Sequence, residues 1–231
     1  MSPLHPKRQL VIAVDGPAGA GKSTVARRVA DRLGLEYLDT GAMYRALALK
    51  ALRRGVDLRD EEQLAELLAT SDIAVASRAG GAVRVFLDGE DVSDAIRAPE
   101  VNAAVSQVAG FAKVRAGMVT RQRALARAGG VVVDGRDIGT EVLPDADVKF
   151  FLTASLKARA RRRWEELRAQ GFSIELDAVE EEIAHRDRLD AGRAVGPLRR
   201  APDAILIDTT DVAVDAVVEE LLRFCRLRVC E

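Results

Sequence analysis

The chain has 231 residues, and 35 lysines and arginines against 36 aspartates and glutamates leave a formal net charge of −1. That balance argues against general nucleic-acid binding, which rests on a basic excess, and no run reaches the roughly 18 consecutive apolar residues of a membrane span. With 48% hydrophobic and 31% charged residues, the composition is that of an ordinary globular domain with enough chain for a sizeable core.

Residues 1–7 read as a tail, and one domain is expected over 8–231. The first apolar run, at 10–14, is too short for a secretory h-region and reads as a strand, so a soluble cytoplasmic protein is expected. The run leads directly into Gly16-Pro17-Ala18-Gly19-Ala20-Gly21-Lys22-Ser23-Thr24. This is the G-x-x-x-x-G-K-S spacing of a phosphate-binding loop between a strand and a helix. Its glycines let successive N–H groups turn inward onto phosphate oxygens, Lys22 reaches the β- and γ-phosphates, and the Ser23 hydroxyl is suited to Mg²⁺. The loop fits motors, GTPases, ATPases and kinases alike, so the rest of the chain must choose among them.

Further β-type runs at 36–38, 130–133, 148–152 and 205–207 alternate with helical patterns, which predicts a parallel sheet with right-handed crossovers. Ligands of such sheets bind beyond the C-terminal strand ends. Three polar motifs fall there: Asp15-Gly16, Asp39-Thr40-Gly41 and Asp134-Gly135-Arg136-Asp137. After the second strand, Thr40 is suited to cap a helix, and Arg45, one turn inside it, to bind a phosphate bidentately. Residues 73–91 break the pattern: two alternating runs, 73–77 and 82–87, flank Ala79-Gly80-Gly81, and Asp88-Gly89 marks a second turn. This predicts a small antiparallel meander beside the main sheet.

The stretch 111–128 has helical periodicity, with Phe111, Val114, Met118 and Leu125 on one stripe. Asp134, ending an apolar run, could orient the shell of a metal through water. Arg136 and Asp137 beyond it could face a cleft, or merely close a local turn by their own ion pair. Ser155 is suited to cap a helix whose buried face is Leu156, Ala160, Trp164 and Leu167, with Arg159, Arg161, Arg162, Arg163 and Arg168 elsewhere. Asp177 with Glu180 makes a capping-box start to the next helix. Arg186, Asp190 and Arg193 share one face if the run is helical, although spacing alone equally fits a solvated ion-pair ladder. Cys225 and Cys230 lack zinc or redox spacing and read as free thiols.

A phosphoryl-transfer enzyme needs converging cations more than a nucleophilic side chain. An acceptor that is itself a phosphate monoester, with a second pKa of about 6, needs no general base. The arginine-rich motifs and the two histidines outside any motif suit such a reaction.

GPAGAGKST (16–24), DTGAMYR (39–45), EVNAAVSQVA (100–109), VR (114–115), DGRDIGT (134–140), the arginines of 159–163 and RDRLDAGRAVGPL (186–198) together resemble the bacterial cytidylate kinase family, in order, from about residue 10 to 227. The resemblance implies an α/β fold of the P-loop NTPase type: a three-layer α/β/α core around a five-stranded parallel sheet, a nucleoside monophosphate (NMP)-binding region at about 40–110 that holds the β insertion of 73–91, and a helical LID at about 157–198. The implied reaction transfers the γ-phosphoryl group of ATP to CMP or dCMP, with Mg²⁺ as cofactor, in a monomer that binds neither nucleic acid nor membrane.

Carried over residue by residue, Lys22, Arg136, Arg186 and Arg193 are implied to carry catalysis. ATP is implied to contact residues 16–24 together with Arg159 and Arg163. CMP is implied to contact Thr40, Tyr44, Arg45, Ser106, Arg115, Arg136, Asp137, Arg186, Asp190 and Arg193, with Ser106, Arg115 and Asp137 on the base. Ser23 would ligate Mg²⁺ directly and Asp134 through water. Leu189 and Ala191 stand where relatives often carry charge. Two rivals stay open: another P-loop small-molecule kinase, such as an adenylate or shikimate kinase, and a nucleotide-binding regulator without catalysis.

Overall fold

The computed structural model describes residues 10–76, 83–169 and 171–229. Five parallel strands form the main sheet: β1 (Val11–Asp15), β2 (Glu36–Asp39), β6 (Val131–Asp134), β7 (Val148–Thr153) and β8 (Ile205–Asp208), in the order β2-β6-β1-β7-β8. Each predicted run is found, and each strand reaches one residue further than the run that announced it, to Asp15, Asp39, Asp134, Thr153 and Asp208. Polar side chains therefore line up along the C-terminal edge of the sheet, while Val11 to Val14 of β1 lie level with Val131 to Asp134 of β6.

Alternation along the strands divides the core between two faces, as expected for central strands buried on both sides. Ile12, Val14, Val132, Phe150 and Leu152 pack against Val25 and Val29 of α1 (Lys22–Leu33) and against Val218, Leu221 and Leu222 of α8 (Val214–Val229). Ala13, Leu38, Val131 and Val133 face α2 (Thr40–Arg54), α3 (Glu61–Ala69), α4 (Pro99–Val108) and α5 (Ala112–Ala126). Leu221 is completely buried. Leu221→Ala should cost about 2–5 kcal/mol, through lost burial and the cavity left behind, read as a shifted denaturation midpoint at unchanged slope.

The meander is present as β3 (Ile73–Ala76), β4 (Arg84–Leu87) and β5 (Glu90–Asp91), antiparallel throughout. Asp88 (φ 51°) and Gly89 (φ 87°) both take positive φ, the requirement of a tight two-residue hairpin turn. Ile73, Val85 and Leu87 are buried on the α2 side, and Lys50 of α2 reaches Asp88 at 2.6 Å. The expected turn Ala79-Gly80-Gly81, together with Ser77, Ala82, the 1–7 tail and Cys230, lies outside the described residues. Cys225 is a free, buried thiol that burial pushes up to about 12.

Three local expectations are corrected. Asp39, not Thr40, caps α2, accepting from the Ala42 N–H at 2.9 Å; Thr40 instead donates its hydroxyl to the Asp134 carbonyl at 2.7 Å. On α5, Val114 and Met118 are fully buried but Leu125 is 48% exposed, because the buried stripe leaves the helix through Gln122 and Ala126. Helix α7 (Leu176–Ala191) begins before Asp177, so Glu175 holds the N-cap position and no side chain caps it. The Ser155 cap of α6 (Leu156–Ala169) is present, with the Ala158 N–H at 3.3 Å. Helices α6 and α7 pack on each other through Ala160, Leu167, Val179 and Ile183, joined by Leu156 and Trp164, a cluster of their own apart from the two main ones.

Candidate active site

The strand ends converge on one cavity of about 410 Å³. Its floor is the loop between β1 and α1, whose turn rests on positive φ at Gly16, Gly19 and Gly21. Lys22 is buried, and its Nζ donates to the Pro17 carbonyl at 2.8 Å. Burial first, and the nearby Arg136 cation second, draw its pKa down to about 7. Asp15, whose motif was noted without a role, anchors the opposite wall. Its two oxygens accept the N–H groups of Ile138 and Gly139 at 2.8 and 2.7 Å, fixing the π-helical turn Ile138–Val142 against β1. Burial raises that carboxyl to about 6 even against those two donors.

Ser23 donates to Asp134 Oδ2 at 2.6 Å across the mouth of the loop. Burial, then the neighbouring Asp39, pushes Asp134 up to about 7. The Tyr37 hydroxyl, on the same wall, is buried without a hydrogen-bond partner. A hydroxyl and a carboxylate are hard oxygen donors, and the orphaned Tyr37 hydroxyl gives one further polar partner for a hydrated ion, so this corner fits Mg²⁺ bound jointly with phosphate oxygens.

Four arginines face the other half of the cavity. Arg45, on the second turn of α2, lies beside Asn102 of α4, with Nε to Oδ1 at 3.4 Å. Arg136 follows β6, Arg186 lies on α7, and Arg193 follows that helix. Asp190, 1% exposed, ties two of them together: it accepts from Arg136 Nε at 2.8 Å and from Arg193 Nη2 at 2.5 Å, and from Ser106 Oγ at 3.4 Å. Burial works to raise Asp190, but Arg136, Arg193 and Arg186 outweigh it and hold the carboxylate below its ordinary range. A solvated ladder is therefore not what this face forms. For Arg186 the same carboxylate does not suffice: burial first, then Arg136 and Arg45, lower it to about 9 against the opposing pull of Asp190.

Arg115 and Asp137 form a buried ion pair deeper in the same half. Arg115 is braced from behind by the Ala109 carbonyl at 3.1 Å and by the Tyr44 ring at 5.7 Å. Burial raises Asp137, with Arg115 opposing. Arg136 and Asp137 thus pair with distant residues rather than with each other, so the local-turn reading of that motif does not hold.

Of the residues singled out in the sequence, the cavity brings together Ala18, Gly19, Gly21, Lys22, Ser23, Thr24, Thr40, Tyr44, Arg45, Ser106, Arg115, Asp134, Arg136, Asp137, Arg163, Arg186, Asp190 and Arg193. Gly16, Pro17, Ala20 and Arg159 do not line it. The Arg159 guanidinium is turned to protein partners, and Arg163 pairs with Glu166 at 3.2 Å near the rim. Leu189 is exposed, and Ala191 is likewise at the surface. Sequence reasoning missed Tyr37, Asp39, Arg97 and Asn102 in the lining. Asp39 and Asn102 stand inside motifs that were quoted, whereas Tyr37 hid in the apolar alternation of β2 and Arg97 gave no signal.

Comparison with known proteins agrees on one family. The family model described as cytidylate kinase matches residues 12–227. The chain is similar to a cytidylate kinase of Symbiobacterium thermophilum, 58% identical over 95% of this chain and 97% of that one. It is similar to one of Geobacillus kaustophilus at 55%, covering 96% and 99%, and to one of Bacillus subtilis at 51%, covering 94% and 96%.

Proposed function

This chain belongs to the cytidylate kinase family, and from that premise we propose that ATP and CMP meet end to end in the cavity, with dCMP as an alternative acceptor and Mg²⁺ as cofactor. The observation that carries the reading is the group of half-buried arginines, Arg45, Arg136, Arg186 and Arg193, that line the cavity opposite the phosphate-binding loop, a concentration of positive charge suited to a dianion.

The donor phosphates lie on the backbone N–H groups of the 16–24 loop other than Pro17, with Lys22 against the β- and γ-phosphates. Ser23 directly and Asp134 through water would hold Mg²⁺, which would supply positive charge against the donor phosphates. Arg45, Arg136, Arg186 and Arg193 take the acceptor phosphate, and Thr40 and Tyr44 shape the wall beside it. The acceptor oxygen arrives already ionised and forms the new P–O bond as the bond to the β,γ-bridging oxygen breaks; ADP leaves, and the arginines and Lys22 stabilise the charge spread over the transferring group. No side chain needs to remove a proton.

Asp137 and Arg115, with Ser106, read the base. Cytosine presents an amine donor beside acceptors, which suits a carboxylate next to a guanidinium, whereas uracil would set a carbonyl against Asp137. Residues 40–110 act as the acceptor-binding region and 157–198 as the LID, whose closure keeps water from competing as acceptor. The working form is a cytoplasmic monomer. No helix among the described residues is long and apolar enough to cross a membrane.

ADP release measured with CMP, dCMP, UMP, AMP and shikimate as acceptors tests the reading. Turnover is expected with CMP and dCMP, poor turnover with UMP, and none with AMP or shikimate. Equal rates with AMP, or none with CMP, would overturn it.

Binding should also move a proton. Burial first, then Arg136, holds the Lys22 ammonium well below its ordinary range, and the negative charge of an adjacent phosphate works against both. ATP binding at pH 8 is expected to take up a proton, read by calorimetry in two buffers of different ionisation enthalpy, and Lys22→Met should abolish the uptake. Equal heats in the two buffers for the parent protein contradict this assignment.

A further inference from the structure

Arg159 belongs to the arginine-rich segment 159–163, and its guanidinium is bonded to the protein itself. The side chain is buried in the first turn of α6. Nε donates to the Ala154 carbonyl at 2.9 Å, and Nη1 donates both to the Ala18 carbonyl of the phosphate-binding loop at 3.1 Å and to Asp187 Oδ2 of α7 at 2.6 Å. The loop sits directly on this residue. A Cβ added at Gly19, where φ is +74°, would lie 3.0 Å from Arg159 Cβ and 3.2 Å from its carbonyl oxygen. Asp187 is the neighbour in sequence of Arg186, and three residues before Asp190, which binds Arg136 and Arg193. One guanidinium thus joins the donor loop to the helix that carries the acceptor-facing charges.

We propose that Arg159 and Asp187 are a positioning pair that registers α7 on the phosphate-binding loop, so that a nucleotide seated in the loop sets Arg186 and Asp190 for the acceptor phosphate. The proposal rests on the reading that Arg186 and Asp190 serve the acceptor. Neither partner lines the cavity: Arg159 acts through the Ala18 carbonyl and Asp187 through its place on α7. Asp187 Oδ1 is buried and has no hydrogen-bond partner, so the carboxylate's tie to its surroundings is the Oδ2 bond to Arg159, and neutralising it weakens the attraction between helix and loop. Binding energy at one site then appears as affinity at the other, which is what coupling between two ligand sites means.

Calorimetry of CMP binding, with and without the β,γ-imido analogue of ATP and Mg²⁺, tests this in the full chain. In the parent protein the analogue is expected to tighten CMP binding by about tenfold or more. Asp187→Asn, which keeps the side-chain volume, and Arg159→Lys, which keeps the charge but not the forked geometry, should each reduce that factor to about two or less while each nucleotide alone still binds. The double variant should lose no more than either single change. A merely structural role would lower the melting temperature and leave the factor intact, and that result overturns the proposal, as does a parent protein that binds both nucleotides without synergy. Should Asp187→Asn fail to fold, Arg159→Lys is read in the same way. A parent protein that does not bind CMP at all would instead refute the acceptor reading, a result distinct from failure of the coupling.

Discussion

Lys22→Ala should lower kcat by about 10²–10³-fold, the typical effect of deleting one preorganised group that meets charge developing in a transition state. The argument is electrostatic. Lys22 is the cation at the floor of the loop, buried and drawn down to about 7 by its surroundings, and it gains most when negative charge builds on the transferring phosphoryl group and the leaving ADP. The fall should appear equally in kcat and kcat/KM for CMP, because the interaction strengthens only as the reaction proceeds. A rise in KM for ATP at unchanged kcat would mean that Lys22 merely holds the donor, and would refute its catalytic role. Folding should survive the change. Among the described residues the Nζ donates to the Pro17 carbonyl, and a buried ammonium is a cost rather than a gain to the native state.

Asp137→Asn is expected to produce the second large effect, on discrimination rather than rate. The side chain keeps its volume beside Arg115 but exchanges an acceptor oxygen for an amide donor, so the cytosine amine loses its partner and the uracil carbonyl gains one. One hydrogen bond to a charged group is worth about 1.5–3 kcal/mol, so the ratio of kcat/KM for CMP over UMP should fall at least about tenfold. The change also leaves Arg115 as a buried cation without its counter-ion, and breaking such a pair costs about 3–5 kcal/mol; a lower melting temperature should accompany the altered preference. An unchanged CMP/UMP ratio, whatever the stability, would remove Asp137 from base recognition.

Much of this architecture could be read in the residues because local and global preferences agree. Each central strand is a short apolar run, and several end in an aspartate, which both stops the run and supplies the site. The Asp88-Gly89 turn foretold the hairpin by the backbone geometry it demands. Where the reading failed, contacts distant in sequence decided the outcome. Thr40 is as good a cap as Asp39 by composition, but its hydroxyl is taken by the Asp134 carbonyl, which no local pattern reveals. Arg186, Asp190 and Arg193 have the spacing of a surface ladder; what buries Asp190 is Ser106 and Arg136, from α4 and from the loop after β6. Asp15 was visible only as a polar residue at a strand end, and it is the clasp that holds the Ile138–Val142 turn. The resemblance implied an ATP contact for Arg159; no local pattern announces the bonds its guanidinium makes to the loop backbone and to α7.

A crystal structure of the protein with CMP and ADP bound tests the central claim most directly. The CMP phosphate should lie within hydrogen-bond distance of Arg45 and Arg136, pointing at the β-phosphate above Lys22, with the base edge on Asp137 and Arg115. A pyrimidine nucleotide seated elsewhere, with those arginines still turned to protein partners, would contradict the account.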